Sequence, residues 1–298
     1  MARLEAMRVF VKVAETSNFA EAARQLFMSP PAVSRAVGFL EDQIGTSLFT
    51  RTTRSVKLTE AGQRYLEDCR RILADVAEAE AAAAGHYARP TGTLNVTASV
   101  LFGQKFLVPI LTEYLDQNPD VTVSATFVDR VVHIVDEGID VAVRIGHLPD
   151  SSHNAIRVGA VRRVVCGAPQ YFAANGVPKT PADLAEHNVI TNTSAFAALE
   201  WRFGGKEKQT VTISPRLYFS TFEAAIQATL QGWGLSRPLS YQVGPLLMEG
   251  RLQTVLAEYE EDPLPIHIVR AAGRSPSAKV RAFIDLAVDR LLANRFIN

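Results

Sequence analysis

Two consecutive prolines, Pro30 and Pro31, interrupt a stretch that otherwise reads as helix, AARQLFMSPPAVSRAVGFLE from Ala22 to Glu41. Proline has no amide proton to donate and its ring clashes with the preceding turn, so a helix tolerates it only in its first turn. The pair must therefore open a new helix, with Ser29 at its N-cap. Upstream, Asn18 followed three residues later by Glu21 matches a capping box, which opens a short helix through Ala22, Ala23 and Leu26. The chain here is two short helices joined by a tight turn.

In the second helix, Val33, Val37, Leu40 and Ile44 recur at steps of three and four and define a buried stripe. Pro31, Ser34, Arg35 and Gly38 fall on the opposite face, which is small, hydroxylic and cationic. A helix with such a face fits a major groove, because small residues allow close approach while Ser34 and Arg35 can bond to base edges or phosphates. An ordinary helical hairpin with a solvated face carries the same pattern. The next segment, SLFTRTTRSVKLTEAG, places β-branched residues and arginines around a polar turn, as in a hairpin running into a new helix. Read as a wing, it lines Arg51, Arg54 and Lys57 along a ribbon where each can neutralise a phosphate.

From Leu4 to Gly62 the chain resembles the LysR-type transcriptional regulators, on the AVSR, LE, IG, LF, R and LTEAG positions in that order. Gly38 stands where a polar or charged residue is usual. The resemblance implies a winged helix-turn-helix that binds double-stranded promoter DNA, and candidate DNA-contacting residues Ser29, Pro30, Pro31, Ala32, Ser34, Arg35, Arg51, Arg54 and Lys57. It also implies a self-associating dimer or tetramer, a small-molecule effector, and RNA polymerase as a further partner.

The 298 residues exceed one typical domain, and a 47% hydrophobic content suffices for real cores. Net charge is zero, yet up to Thr59 eight Lys or Arg stand against five Asp or Glu, a local surplus of three positive charges. A basic module on a neutral body suits DNA binding that is modest per subunit and strengthened by multivalency. The first residues carry charges throughout, and no run of about 18 apolar residues follows, so the expected location is the cytoplasm, away from membranes. Cys69 and Cys166 are the only cysteines and lack metal-ligand spacing, which reads as two structural thiols, with a redox sensor as the lesser alternative. No metal or cofactor is expected.

Glu60 to about Tyr87 is rich in alanine, lacks proline and has glycine only at Gly85, predicting one long helix. Tyr65, Cys69, Ile72, Val76, Ala79 and Ala83 follow a heptad seam, so the helix either pairs with a copy of itself or packs on its own domain. GHYARPTG, from Gly85 to Gly92, reads as the hinge. Beyond it come TLNVTAS as a strand, FLVPILTEYLDQNP as a helix, VTVSATFV as a strand, VVHIVDEG as a short helix and IDVAVRIG as a strand, an alternation that predicts a parallel sheet. A second α/β unit starts at RRVVCGAPQYF, and IHIVRAA plus a closing amphipathic helix return to the first. The expected class is α/β with an N-terminal winged helix-turn-helix, a long linker helix and, by the resemblance, a two-lobed effector domain of periplasmic-binding-protein type. The expected divisions are 1–59 for the DNA-binding domain, 60–89 for the linker helix and hinge, 90–161 with 266–298 for lobe I, and 162–265 for lobe II.

In open α/β sheets ligands lie beyond the carboxyl ends of strands. That rule selects Ala98, Ser99 and Val100, Phe127 and Asp129, and Arg144 and Gly146, with Phe102 as apolar lining. The resemblance adds Thr193, Trp201, Ser220, Thr221 and Arg237, and GWGLSRPLSYQV carries its proline one position earlier than usual. Each has a structural alternative: Ser99 as a helix cap, Arg144 as an ion-pair partner, Trp201 as a core aromatic. Two arginines with hydroxyls near helix N-termini favour an anion, so the expected effector is a small carboxylate with an apolar body, a ring or a short hydrocarbon. Enzyme readings lack a motif: GLSRP misses the second glycine of a nucleophile elbow, no GxxxxGK[ST] loop occurs, and the six histidines show no ligand spacing. The acidic run Glu260-Glu261-Asp262 reads as a solvated loop. An α/β solute-binding protein, or an enzyme without a recognisable motif, is the alternative, but a solute receptor leaves the N-terminal helix pair unexplained.

Overall fold

The computed structural model describes residues 2–51, 56–83, 89–148, 153–192, 199–204, 208–271 and 276–297. It divides into a unit from Met1 to Arg89 and a unit from Pro90 to Asn298.

The first unit runs α1 (Arg3–Thr16), α2 (Phe19–Gln25), α3 (Pro30–Ile44), the hairpin β1 (Phe49–Arg51) and β2 (Val56–Leu58), and α4 (Glu60–Ala83). Asn18 opens α2 by accepting from the amides of Ala20 at 2.9 Å and Glu21 at 3.1 Å. Only half of the expected capping box forms, because Glu21 turns to Arg24 and Gln25 instead of back to Asn18. Val33, Ala36, Val37 and Leu40 of α3 are buried with Phe10, Val13 and Leu48, and the Phe10 ring meets Phe49 at 5.3 Å and Tyr65 at 5.4 Å. At the start of α4, a Cβ on Gly62 would stand 2.0 Å from the Leu48 carbonyl oxygen, so only glycine lets the helix cross the hairpin there. Thr59 caps that helix, accepting from the Gly62 amide at 2.9 Å while donating to the Ser47 carbonyl at 2.8 Å.

The heptad seam of α4 divides. Cys69 is fully buried, and Tyr65 and Ile72 pack with Leu66 on this unit's own core, which leaves Val76 half-buried beyond it. The N-terminal part of the seam therefore serves its own domain. Helical backbone continues through Ala79 to Ala83, while Gly85 and the rest of 84–88 lie outside the described residues.

The second unit contains β3 (Gly92–Ala98), α5 (Val100–Phe102), a π turn over Gly103–Leu107, α6 (Val108–Gln117), β4 (Val121–Phe127), β5 (Val141–Ile145) and β6 (His153–Val161). Then come β7 (Val165–Gly167), α7 (Pro169–Asn175), β8 (Ile190–Asn192), β9 (Glu200–Phe203), β10 (Gln209–Thr212), β11 (Leu217–Phe219), α8 (Phe222–Leu230), α9 (Ser240–Met248), β12 (Gln253–Val255), β13 (Leu264–Ala271) and α10 (Ala278–Leu292). The main sheet has the order β4-β3-β5-β13-β6. Its first three strands are parallel as expected, but β13 runs antiparallel to both neighbours, so the sheet is mixed. The expected helix at VVHIVDEG is a turn over Ile134–Gly138: its β-branched residues disfavour helix, and Glu137 folds back onto Arg130 at 2.6 Å and the His133 amide at 3.0 Å. That pairing holds the Glu137 carboxyl down at about 2.

The chain leaves the main sheet after Val161 and re-enters at Leu264, and these two residues are register partners. The intervening lobe joins β7 to β12, β8 to β11 and β9 to β10 in separate pairs. One apolar cluster runs through both lobes, taking Val96, Phe102, Ile266 and Phe283 together with Cys166, Ile226 and Tyr241.

Candidate functional site

On the first unit, α3 begins with Ser29 as N-cap, but the serine hydroxyl makes no capping bond. Pro31 removes the N2 amide and the Ala32 amide donates to the Ser29 carbonyl at 2.9 Å, so neither usual capping donor goes to the hydroxyl. Ser29, Pro30, Pro31 and Arg35 are exposed, Ala32 and Ser34 half-buried, and Arg35 has no ion-pair partner among the described residues. Glu41, one turn before the end of the helix, accepts from the amides of Leu48 at 2.8 Å and Phe49 at 3.2 Å. One carboxylate thereby fixes α3 to the hairpin, which explains the Glu of the LE pair. In that hairpin Lys57 is exposed and stands opposite Thr50, and the Arg51 backbone pairs with Val56. Arg54 and the Arg51 side chain lie outside the described residues.

The turn between α2 and α3 holds a residue with no sequence signal of its own. Phe27 has φ of 54° and is 99% exposed, between half-buried Leu26 and Met28.

In the second unit, Ala98 is buried at the end of β3, and Ser99 begins the helical run that follows. Asp129 accepts from the Val100 amide at 3.1 Å, so the acid, not Ser99, caps this helix. The Ser99 hydroxyl is buried and faces the buried Tyr241 hydroxyl, and neither makes a close hydrogen bond among the described residues. Burial pushes the Tyr241 hydroxyl up to about 12. Lys105 donates to the Gln242 carbonyl at 2.9 Å and the Tyr241 carbonyl at 3.4 Å. Its pKa is lowered, chiefly by burial, with Glu223 opposing the shift. Phe102 is a core ring, fully buried and 4.9 Å from Phe106. Phe127 covers Gly103, where a Cβ would lie 2.4 Å from its ring. Arg144 donates to the Val132 carbonyl, and Gly146 donates its amide to the Pro265 carbonyl at 2.8 Å.

Lobe II carries an open cleft of about 360 Å³ whose walls include Arg163, Asn192, Trp201, Arg202, Ile226 and Arg237. Of the expected effector residues, Trp201 and Arg237 meet here; the lobe I set from Ala98 to Gly146, and Ser220 and Thr221, are elsewhere. Arg237 lies 4.7 Å above the Phe203 ring and 5.7 Å above Trp201, donating to the Arg202 carbonyl and to Glu261 at 3.1 Å. Burial lowers its pKa to about 10 against the pull of Glu261, so it stays cationic at neutral pH. The acidic run is thus no solvated loop: Glu261 holds Arg237, and Glu260 holds Arg162 at 2.8 Å. Thr221 caps α8, accepting from the Ala224 amide at 3.3 Å, and Ser220 is exposed. Thr193 lies outside the described residues.

Asn192 is the most unusual residue of the cavity. It is 1% exposed, and neither its amide oxygen nor its amide nitrogen has a hydrogen-bond partner among the described residues. Buried polar groups are otherwise paired, since each unpaired one costs roughly 1–3 kcal/mol. Its signal in the sequence was an asparagine closing the apolar run VITN. Arg163 and Arg202 are exposed at the same cavity and have no ion-pair partner among the described residues. Cys166 is buried, 3.9 Å from Ser236, and burial pushes its thiol up to about 12, while the buried Cys69 thiol rises to about 11. Thiols so raised are unreactive at neutral pH. No group of three His, Cys, Asp or Glu residues among the described residues could hold a metal ion, and no helix among them is long and apolar enough to cross a membrane.

Comparison with known proteins gives two family matches: residues 4–63 fit the bacterial regulatory helix-turn-helix protein, lysR family, and residues 88–292 fit the LysR substrate binding domain. The transcriptional activator AaeR of Escherichia coli K12 is 32% identical over 292 residues, covering 97% of this chain and 94% of its own. The regulator CrgA of Neisseria meningitidis serogroup C is 31% identical over 288 residues, covering 96% of each. The solved structure of CrgA, titled a LysR-type transcriptional regulator from Neisseria meningitidis, superposes with a TM-score of 0.63 at 30% identity, over 97% of this chain and 99% of that one.

Proposed function

Since this chain belongs to the LysR family of helix-turn-helix transcriptional regulators, we propose that it reads promoter DNA with α3 and the β1–β2 wing and answers to a small carboxylate with an apolar body. It is a DNA-binding regulator with an effector-binding domain, and its relatives are regulators and not enzymes. In the proposed assignment Ser29, Pro30, Pro31, Ala32, Ser34 and Arg35 approach base edges and phosphates, while Arg51, Arg54 and Lys57 neutralise phosphates along the wing. The regulator acts in the cytoplasm as a dimer or tetramer, pairs through α4 beyond the stretch that packs on its own core, and touches RNA polymerase at the promoter. Ligand binding then shifts the balance between two arrangements of the paired DNA-binding units, by the difference in its affinity for them.

The observation that carries the effector reading is Asn192, whose amide has no partner among the described residues and which lines one cavity with Trp201 and with Arg163 and Arg202, neither ion-paired among those residues. A carboxylate supplies oxygens that arginine and an amide N–H both seek, and its apolar body packs on Trp201 and Ile226. Arg144 and Arg237, each with a partner inside the protein, are less available than Arg163 and Arg202. The test is calorimetric titration of wild type, Asn192→Ala, Arg202→Ala and Ser99→Ala with benzoates, aliphatic acids and their neutral amides. Acids should bind wild type and weaken by about tenfold on losing one charge-assisted hydrogen bond. Equal binding of the amides would rule out the anion site.

A further inference from the structure

The turn between α2 and α3 is built like a glycine cap yet carries a phenylalanine. Leu26 ends α2; the Met28 amide then donates to the Ala23 carbonyl at 2.9 Å, and the Phe27 amide to the Arg24 carbonyl at 3.3 Å. This pair of crossed bonds is the Schellman motif, whose next residue takes the left-handed conformation that glycine and asparagine adopt with least strain. Here that residue is Phe27, at φ of 54°. A bulky side chain in that region is a steric outlier.

The ring recovers nothing from the protein in exchange. Phe27 is 99% exposed, the most exposed large apolar side chain among the described residues, while Leu26 and Met28 on either side pack against the core. Glycine would relieve the backbone and remove an apolar ring from water, so folding alone argues against phenylalanine twice. Strain of this kind is kept where a function uses it. Two residues later stands Ser29, followed by exposed Pro30 and Pro31, the end of α3 that enters a major groove in a helix-turn-helix. The one apolar, base-specific group that the groove offers is the thymine 5-methyl.

We propose that Phe27 is a specificity-determining DNA contact, its ring packing on the 5-methyl group of a thymine beside the N-terminus of α3. The proposal rests on the reading of α3 as the groove-entering helix, which Arg35→Ala tests separately. Neither partner is charged, so the contact adds sequence preference without adding to the salt dependence.

The experiment uses the full chain and a duplex that it selects from a random pool. Phe27→Gly and Phe27→Asn should melt higher, by about 4 °C if roughly 1 kcal/mol of strain in the first unit is relieved, and both should bind the duplex about tenfold more weakly. Substituting uracil for thymine, one position at a time, should cost wild type about fourfold at one site, the worth of one buried methyl. The same substitution should leave Phe27→Gly unaffected. A loss in Arg35→Ala with none in Phe27→Gly would overturn this proposal alone, and no loss in either would overturn the groove reading with it. Equal uracil sensitivity in wild type and Phe27→Gly would also defeat it.

Discussion

Single residues on α3 and the wing differ in what they can read. Arg35 is exposed on the helix and has no ion-pair partner among the described residues, so Arg35→Ala should weaken the selected duplex by about 1–3 kcal/mol and relax preference at one base. Lys57 is exposed on the wing, and Lys57→Ala should weaken all duplexes alike and flatten the salt dependence. Binding titrations at two salt concentrations separate the two. In the second unit Asn192→Leu removes a buried unpaired amide at similar volume. It should raise stability by about 1 kcal/mol while abolishing the further rise, about 2.7 kcal/mol in wild type, that effector at 100 times its dissociation constant produces. Thermal melts with and without the acid read both effects. Residue types and positions near a strand end or helix start were legible, because short-range rules govern them. What occupies each side chain was not: Arg237 is committed to Glu261, and Arg144 to the Val132 carbonyl, by contacts that no local pattern encodes.

Among the elements, those with strong local instructions were readable. Pro30 and Pro31 start α3, Thr59 starts α4, and Asn118 caps α6. β6, by contrast, was unmarked, and the antiparallel placement of β13 depends on which edge of the sheet is open when it returns. The α4 seam shows the same limit, since one heptad pattern serves two partners. Val76→Asp, beyond the stretch packed on the core, should shift the protein toward monomer in sedimentation with little change in the melting of the first unit. Ile72→Ala should do the reverse, lowering that melting transition because Ile72 packs against the core.

For the molecule as a whole, neutrality overall hides a pH-sensitive spot. His267 has its pKa lowered from 6.5, chiefly by burial, with Arg157 and His147 adding repulsion. Its folded pKa lies below the unfolded one, so its neutral form stabilises the fold above pH 6.5, and that contribution fades as pH falls from 6.5 through the lower folded value. Chemical denaturation from pH 7 to 5 should show stability falling in wild type and a flatter profile in His267→Gln.

The place of β13 between β5 and β6 also sets an order of events for a newly made chain. The first unit is finished within its opening 89 residues, whereas β5 must wait for a neighbour about 120 positions downstream. Contacts so distant form late, and until then β5 presents a bare row of amides and carbonyls to any passing strand. Translation therefore passes through a period in which the N-terminal unit can be complete while the sensor that follows it is still unfinished, and no effector can yet address it.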